Sequence, residues 1–179
     1  MTDHVVTARG DRISSPYIVA AEPEQRAPLV KLALHDPGYS GIDGRTHFRT
    51  HFYVWDRPVG MGNGAPGRSL QVGYFAKFGG ALFYDDPRPP GDNSVTDEDW
   101  AWLALRPRPL ADVPAVYFDQ ESGTMFPPRC VMPMDELHEV VLEFVNTGER
   151  PSSVEWLTVN DLRWKLDGAG DTALSEDMS

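Results

Sequence analysis

Residues 133–156, PMDELHEVVLEFVNTGERPSSVEW, decide the fold of this chain. Leu137, Val140, Val141, Phe144 and Val145 recur at the spacing of one apolar stripe along an α-helix. Glu136, His138, Glu139, Glu143 and Asn146 take the rest of its surface. Asp135 and Glu136 fall in the first turn, where carboxylates meet the positive end of the helix dipole. The pattern predicts a helix over about residues 134–147. Gly148 can adopt the left-handed conformation that ends a helix, and Pro151 cannot continue one. Val154 and Trp156 then alternate onto one face of a strand. A helix with a single apolar stripe must lie against something apolar. The turn at Gly148-Glu149-Arg150-Pro151 brings Trp156 back beside the stripe, so Phe144 and Trp156 are expected in the core.

Upstream, Phe48 to Trp55 (FRTHFYVW) is rich in aromatic and β-branched residues and reads as a strand. Ser69 to Lys77 and Ala81 to Tyr84 read as two more, with Phe78-Gly79-Gly80 as the hairpin turn between them. Leu70, Val72, Tyr74 and Ala76 would share one face. Trp100 to Leu105, Ala115 to Phe118 and Thr124 to Val131 are further strand candidates, the last two joined through residues 120–123. Leu29 to Leu34 (LVKLAL) fits a strand or a helical turn, and period alone does not decide. The expected class is α+β: a mostly antiparallel sheet with one main amphipathic helix packed on it. Residues 1–27 read as a partly ordered N-terminal arm, 28–166 as a single domain, and 167–179 as an acidic flexible tail.

The chain has 179 residues, enough for one well-filled domain. Its net charge of −11 is unevenly placed. Residues 1–84 carry nine basic and seven acidic side chains, and residues 85–179 carry seven and twenty. The acidic half should repel nucleic acid and attract a basic partner, although solubility is the simpler reading of such a charge. One cysteine, Cys130, allows no intrachain disulfide and fits a reducing compartment. The N-terminus lacks the pattern of a signal peptide, and no run approaches the ~18 apolar residues of a membrane span. A cytoplasmic protein is expected.

The helix ending in TGERP, followed by VEW, resembles the Imm1 family of bacterial immunity proteins. The residues that carry the likeness are Pro133 before the helix, Phe144 late in it, Gly148, Arg150 and Pro151 in the turn, and Trp156 in the next strand. The stretch GGALFYDD is similar to the family's central strand. The likeness runs roughly from Gly73 to Leu162. It implies an α+β cytosolic protein that neutralises a toxin of a polymorphic or contact-dependent system, often a nucleic-acid deaminase, and the expected reading is a toxin-binding protein without catalytic activity. It implies no contact residues.

Catalytic signatures are weak. His47 and His51 stand four apart with His35 nearby, which allows a small metal-dependent hydrolase as an alternative. The spacing lacks the Cys or Glu of known zinc patterns, so no metal and no cofactor is expected. Gly60 to Gly64 has the composition of a phosphate loop without the Gly-Lys-Ser/Thr ending. A general adaptor module is a third reading. The candidate partner-binding residues are acidic. Asp85, Asp86, Asp92, Asp97, Glu98 and Asp99 crowd one proline-rich loop, next to Trp100 as an aromatic anchor. Glu136, Glu139 and Glu143 form a second acidic surface on the helix. Such carboxylates could occupy the basic cleft that a nucleic-acid-acting toxin needs for its substrate's backbone. A solvated loop and a solvated helix face explain the same residues without a partner.

Overall fold

A computed structural model describes residues 4–10, 17–35, 47–55, 67–75, 77–85, 101–119 and 122–159. Its centre is one antiparallel sheet. The strands are β1 (Val5–Gly10), β2 (Ile18–Ala20), β3 (His47–Trp55), β4 (Arg68–Phe75), β5 (Phe78–Asp85), β6 (Ala101–Leu105), β9 (Met132–Pro133) and β10 (Glu155–Thr158). Their order is β10-β6-β5-β4-β3-β1-β2, with β9 beside β5. A separate small hairpin pairs β7 (Tyr117–Asp119) with β8 (Thr124–Met125). Two α-helices, α1 (Arg26–His35) and α2 (Met134–Thr147), are present among the described residues. The architecture is α+β, with α2 as the main helix on the sheet.

The helix forms where its periodicity places it. Leu137, Val140, Val141, Phe144 and Val145 are the buried residues of α2. They meet the inner-face side chains of the sheet, among them Phe52, Val54, Leu70, Val72, Tyr74 and Phe83. Gly148 ends the helix at φ 70°, and its N–H donates to the Phe144 carbonyl at 2.8 Å. That is the left-handed cap, which a residue with a Cβ adopts at a cost.

Leu29 to Leu34 belongs to a helix rather than a strand. Leu29, Val30, Ala33 and Leu34 are buried while Leu32 is exposed, a helical pattern too short to be recognised by period. Pro28 sits in the first turn, where helical N–H groups lack intrahelical partners anyway. The helix is tied to the sheet from beneath: the Ala33 carbonyl accepts from Thr50 Oγ1 at 3.4 Å and Tyr74 Oη at 3.1 Å.

Within the segment read from sequence as a partly ordered arm, residues 5–10 and 18–20 are strands. Thr7 of β1 is fully buried between Val6 and Ala8, so the alternation that marks a half-exposed strand is missing. Just before β1, His4 Nε2 reaches the Val145 carbonyl at 3.0 Å. Arg26, also buried, donates to the Asn146 carbonyl at 3.1 Å and the His4 carbonyl at 3.0 Å. Together they satisfy C-terminal carbonyls of α2 that have no intrahelical donor, and the guanidinium lies at the negative end of the helix dipole.

The β4–β5 turn also differs from expectation. Phe75 pairs with Phe78, Tyr74 with Gly79 and Gly73 with Gly80. The glycines lie inside the strands, and the connection is residues 76–77. A Cβ on Gly79 would come within 2.5 Å of Leu137 Cδ2, and one on Gly80 within 2.8 Å of Phe126 Cγ. They are glycines because layers approach the sheet closely on both sides. Leu70, Val72 and Tyr74 share the buried inner face as expected, and Ala76 lies outside the described residues. The strand expected over Thr124 to Val131 stops after Met125. Pro127 and Pro128 remove ladder donors, and residues 128–130 form a 3-10 turn.

Among the described residues, the cover on the outer face of the sheet lies over β4, β5 and β6. Residues 106–131 loop back over β4, β5 and β6. They form a second core in which Val116, Phe126, Cys130 and Val131 meet Leu82, Ala101 and Leu103. At its border Gln71 Nε2 donates to the Phe118 carbonyl at 2.6 Å, and Arg49 pairs with Asp119 at 3.4 Å.

Candidate functional site

The three helix glutamates have different jobs. Glu139 is the exposed one, with 74% of its side chain accessible. Glu136 is held by Arg106, whose Nε lies 2.9 Å from Oε2 and 3.2 Å from Oε1. This pair fastens the covering segment 106–131 to the helix. Glu143 caps the turn before β10. It accepts from Ser152 N at 2.6 Å, Ser152 Oγ at 2.8 Å and Ser153 N at 3.1 Å. Partial burial of Glu143 pushes its carboxyl up, but the bonds from Ser153 and Ser152 together outweigh this and hold it below the ordinary 4.5. A carboxylate with a lowered folded-state value stabilises the fold above the unfolded value. That contribution disappears as pH falls through the folded value. Thermal melts of wild type and Glu143→Gln should therefore differ at neutral pH and converge in acid below about 4.5. A difference unchanged from pH 7 to pH 3 would remove the ionised cap.

The residues of the GERP turn and its neighbours meet at one aromatic cluster. Phe83 contacts Phe144 edge-on with centroids 5.9 Å apart, Trp156 at 5.9 Å and Trp102 at 5.7 Å. The Arg150 guanidinium stacks over Trp102 at 4.5 Å, a cation–π contact. Trp156 pairs with Ala104 across β6–β10 and donates its indole N–H to the Pro151 carbonyl at 2.6 Å. Pro151 is buried, and Trp156 is half-buried rather than fully enclosed as expected. Phe144, Gly148, Arg150, Pro151 and Trp156 thus each make contacts inside the fold. Arg68 adds a strut, donating to the Gly148 carbonyl at 2.6 Å and pairing with Glu149.

The acidic loop is placed only by its ends. Asp85 closes β5 opposite Arg68, and Tyr84 pairs with Ala101 of β6. The Asp85 side chain and Asp86, Asp92, Asp97, Glu98, Asp99 and Trp100 lie outside the described residues, as do Gly60 to Gly64 and the tail from residue 160.

The histidines read as a possible metal set do not converge. His35 ends α1 on the inner side of the sheet, its ring 5.8 Å from His138. His51 points to the outer side, where it stacks on Tyr53 at 5.9 Å. The sheet separates them, and the His47 side chain is not among those described. Among the described residues no three metal-ligating side chains cluster. Cys130 is buried, and burial pushes its thiol to about 12 despite Arg129. It behaves as a small apolar side chain, not a nucleophile.

One surface was not singled out from sequence. The outward-facing residues of β1 and β3, with Tyr17 ahead of β2, form a ring ladder on the outer side of the sheet. Tyr17 and Tyr53 lie 6.4 Å apart, and Tyr53 and Trp55 also 6.4 Å. Arg9 sits over the Tyr17 ring at 5.2 Å. Trp55 is fixed by a 2.9 Å bond from its indole N–H to Thr7 Oγ1. The signal was the alternation Arg49, His51, Tyr53, Trp55 in FRTHFYVW.

No helix among the described residues is long and apolar enough to cross a membrane. No curated protein matches the chain. The family described as immunity protein Imm1 matches residues 18–158. That match reaches back past Gly73 through β4, β3, α1 and β2, and forward through the aromatic cluster to the end of β10. With most of its fold inside the match, the chain belongs to the Imm1 family of immunity proteins.

Proposed function

We propose that this immunity protein binds a cognate toxin domain that acts on nucleic acid, such as a deaminase, and neutralises it in the cytoplasm without catalysing a reaction. The family match over residues 18–158 carries the immunity role. The substrate class rests on charge. The chain's excess of carboxylates is concentrated in residues 85–179, where it complements the basic cleft of a nucleic-acid-acting enzyme and speeds encounter with it. The acidic contacts are Asp85, Asp86, Asp92, Asp97, Glu98 and Asp99 with Trp100. Glu139 joins them from the helix, whereas Glu136 and Glu143 take part while holding their internal partners. The partner is a protein, with no nucleic acid or membrane involved.

The test is to mix the protein with the toxin domain encoded beside it. Tight binding and relief of toxicity are expected. Association should slow as salt shrinks the Debye length from ~10 to ~3 Å. Reversing the charge of Asp97, Glu98 and Asp99 together should lower the association rate without unfolding the protein. Absence of both binding and protection would sink the immunity reading. Salt-independent association would leave immunity standing and remove the acidic surface.

A further inference from the structure

We propose that the toxin domain adds an extended segment to the outer edge of β2 and lowers an apolar side chain, flanked by a cation, into the groove between β2 and α1. Val19, Pro28, Leu29 and Leu32 wall that groove, with Glu24 beside them. This rests on the immunity reading above and gives it a contact that the acidic residues do not supply.

The backbone of β2 supplies the first reason. β2 ends the sheet, with β1 as its one strand neighbour among the described residues. In an antiparallel pair, alternate residues of the outer strand send N–H and C=O away from the neighbour. Such an edge is a template for another strand. The template stops at Ala20, because the Ala21 and Glu22 N–H groups donate to Gln25 Oε1 at 2.9 and 3.1 Å. Ile18 to Ala20 is therefore the length open to addition. So short a ladder orients a partner through a few hydrogen bonds, and side-chain pockets beside it must supply the rest.

The groove supplies the second reason. Ile18 and Val19 stand on one wall, and Pro28, Leu29 and Leu32 on the other. Pro28 and Leu32 are four apart on α1, so they share one side of the helix. Ile18 and Leu29 pack into the main core, while Val19 is 49% and Leu32 40% exposed. These are two of the four large hydrophobic residues exposed among those described, and Tyr17, just before β2, is a third. Apolar side chains gathered in one place, and not scattered, mark an interaction site. The groove holds about 300 Å³, the low end for small-molecule sites. Gln25, one of its two polar lining residues, already uses its side-chain oxygen on Ala21 and Glu22. A metabolite that needs converging polar groups finds little to bond there, whereas an aliphatic or aromatic side chain fits.

Charge identifies the occupant. Glu24 is the one charged residue among the described lining, and Glu22 belongs to the same turn. Lys31 precedes Leu32 on α1 but is not part of the lining. A carboxylate beside an apolar floor favours a segment whose apolar side chain has a Lys or Arg next to it. A basic toxin carries such residues, so the field that speeds its approach also suits this contact. A second copy of this chain is the other possible strand donor. It would set a net charge of −11 against another of −11, and that repulsion disfavours it.

The experiment titrates a catalytically inactive form of the toxin domain encoded beside this chain into wild type, Val19→Asp, Leu32→Glu, Glu24→Lys and Met125→Asp. Met125 is 48% exposed in the separate β7–β8 hairpin and belongs to no proposed contact, so Met125→Asp is the matched control for Val19→Asp. All four variants should keep wild-type circular dichroism and melting temperature, because each replaced side chain is exposed. Leu32→Glu serves if Val19→Asp is destabilised, since Glu is a good helix former. Binding should weaken about 30-fold in Val19→Asp and Leu32→Glu and about 5-fold in Glu24→Lys. It should change little in Met125→Asp. Hydrogen exchange should slow in the complex at the β2 amides that do not donate to β1. Folded Val19→Asp and Leu32→Glu that bind like wild type, or unchanged exchange along β2, would overturn the proposal while leaving immunity intact. Unaltered affinity in Glu24→Lys would remove the cation from the occupant. A wild-type dimer in sedimentation that Val19→Asp splits would give the edge to a second copy and overturn the assignment. If wild type itself neither binds the toxin nor protects against it, the immunity reading falls and this assignment with it.

Discussion

Replacing Phe144 with alanine should lower the free energy of unfolding by about 3–5 kcal/mol. Phe144 is fully buried and stands edge-on to Phe83 in the middle of the helix–sheet contact. Its removal leaves a cavity between α2 and β5 that neither backbone can collapse to fill. The whole fold of a domain this size is worth only about 5–15 kcal/mol, so the loss is a large fraction of it. At about 2–4 °C per kcal/mol the melting temperature should fall by roughly 6–20 °C. Trp156→Ala is the useful comparison. Trp156 is half-buried, so it should cost less through lost packing, and part of the loss is its bond to the Pro151 carbonyl. Equal effects at the two positions would mean that the cluster around Phe83 is not centred on Phe144.

The second large effect is expected from adding atoms. Gly79→Val places a branched side chain where a Cβ alone would stand 2.5 Å from Leu137 Cδ2, 2.8 Å from Tyr74 Cβ and 2.9 Å from the Gly73 carbonyl. Leu137 can shift, but the Gly73 carbonyl belongs to the paired strand and cannot. Overpacking of this kind costs about 1–3 kcal/mol and occasionally more. Denaturant unfolding should show a lower midpoint. An unchanged midpoint would mean that α2 sits on β5 with slack. Gly73 faces the other side, where a Cβ would collide with the Tyr117 carbonyl. β4 and β5 are therefore pinched from both sides.

These two cases also show what the sequence could and could not convey. The helix at 134–147 was legible because five apolar residues at helical spacing need one explanation, and Gly148 and Pro151 mark its end. Strand β3 was legible from its aromatic and β-branched content and β4 from alternation. Gly79-Gly80 was misread as a turn because two glycines have two causes, a bend or a close approach, and only the facing layer distinguishes them. β1 was missed because a strand covered on both sides, as Thr7 is by Trp55, loses its period. α1 was ambiguous because its buried set is a short run. The candidate site was less legible still. Glu136 and Glu143 look like solvated helix glutamates in sequence. Their partners Arg106, Ser152 and Ser153 come from segments that only folding brings near. The ladder around Tyr53 was present in the alternation of FRTHFYVW, but its neighbours Arg9 and Tyr17 come from other segments.

The bond from His4 to the Val145 carbonyl joins residues 141 positions apart in the chain, and this bears on when the protein can act. At synthesis rates of about 5–20 residues per second, the acceptor follows His4 out of the active site of the ribosome by roughly 7–28 s. Until then β1 has no helix end to close against, and the apolar side chains of β1 and β3 wait for α2. Folding is dominated by such distant pairings, which are slow to close. A newly made chain therefore passes through an interval of at least that length before β1 can close against the end of α2.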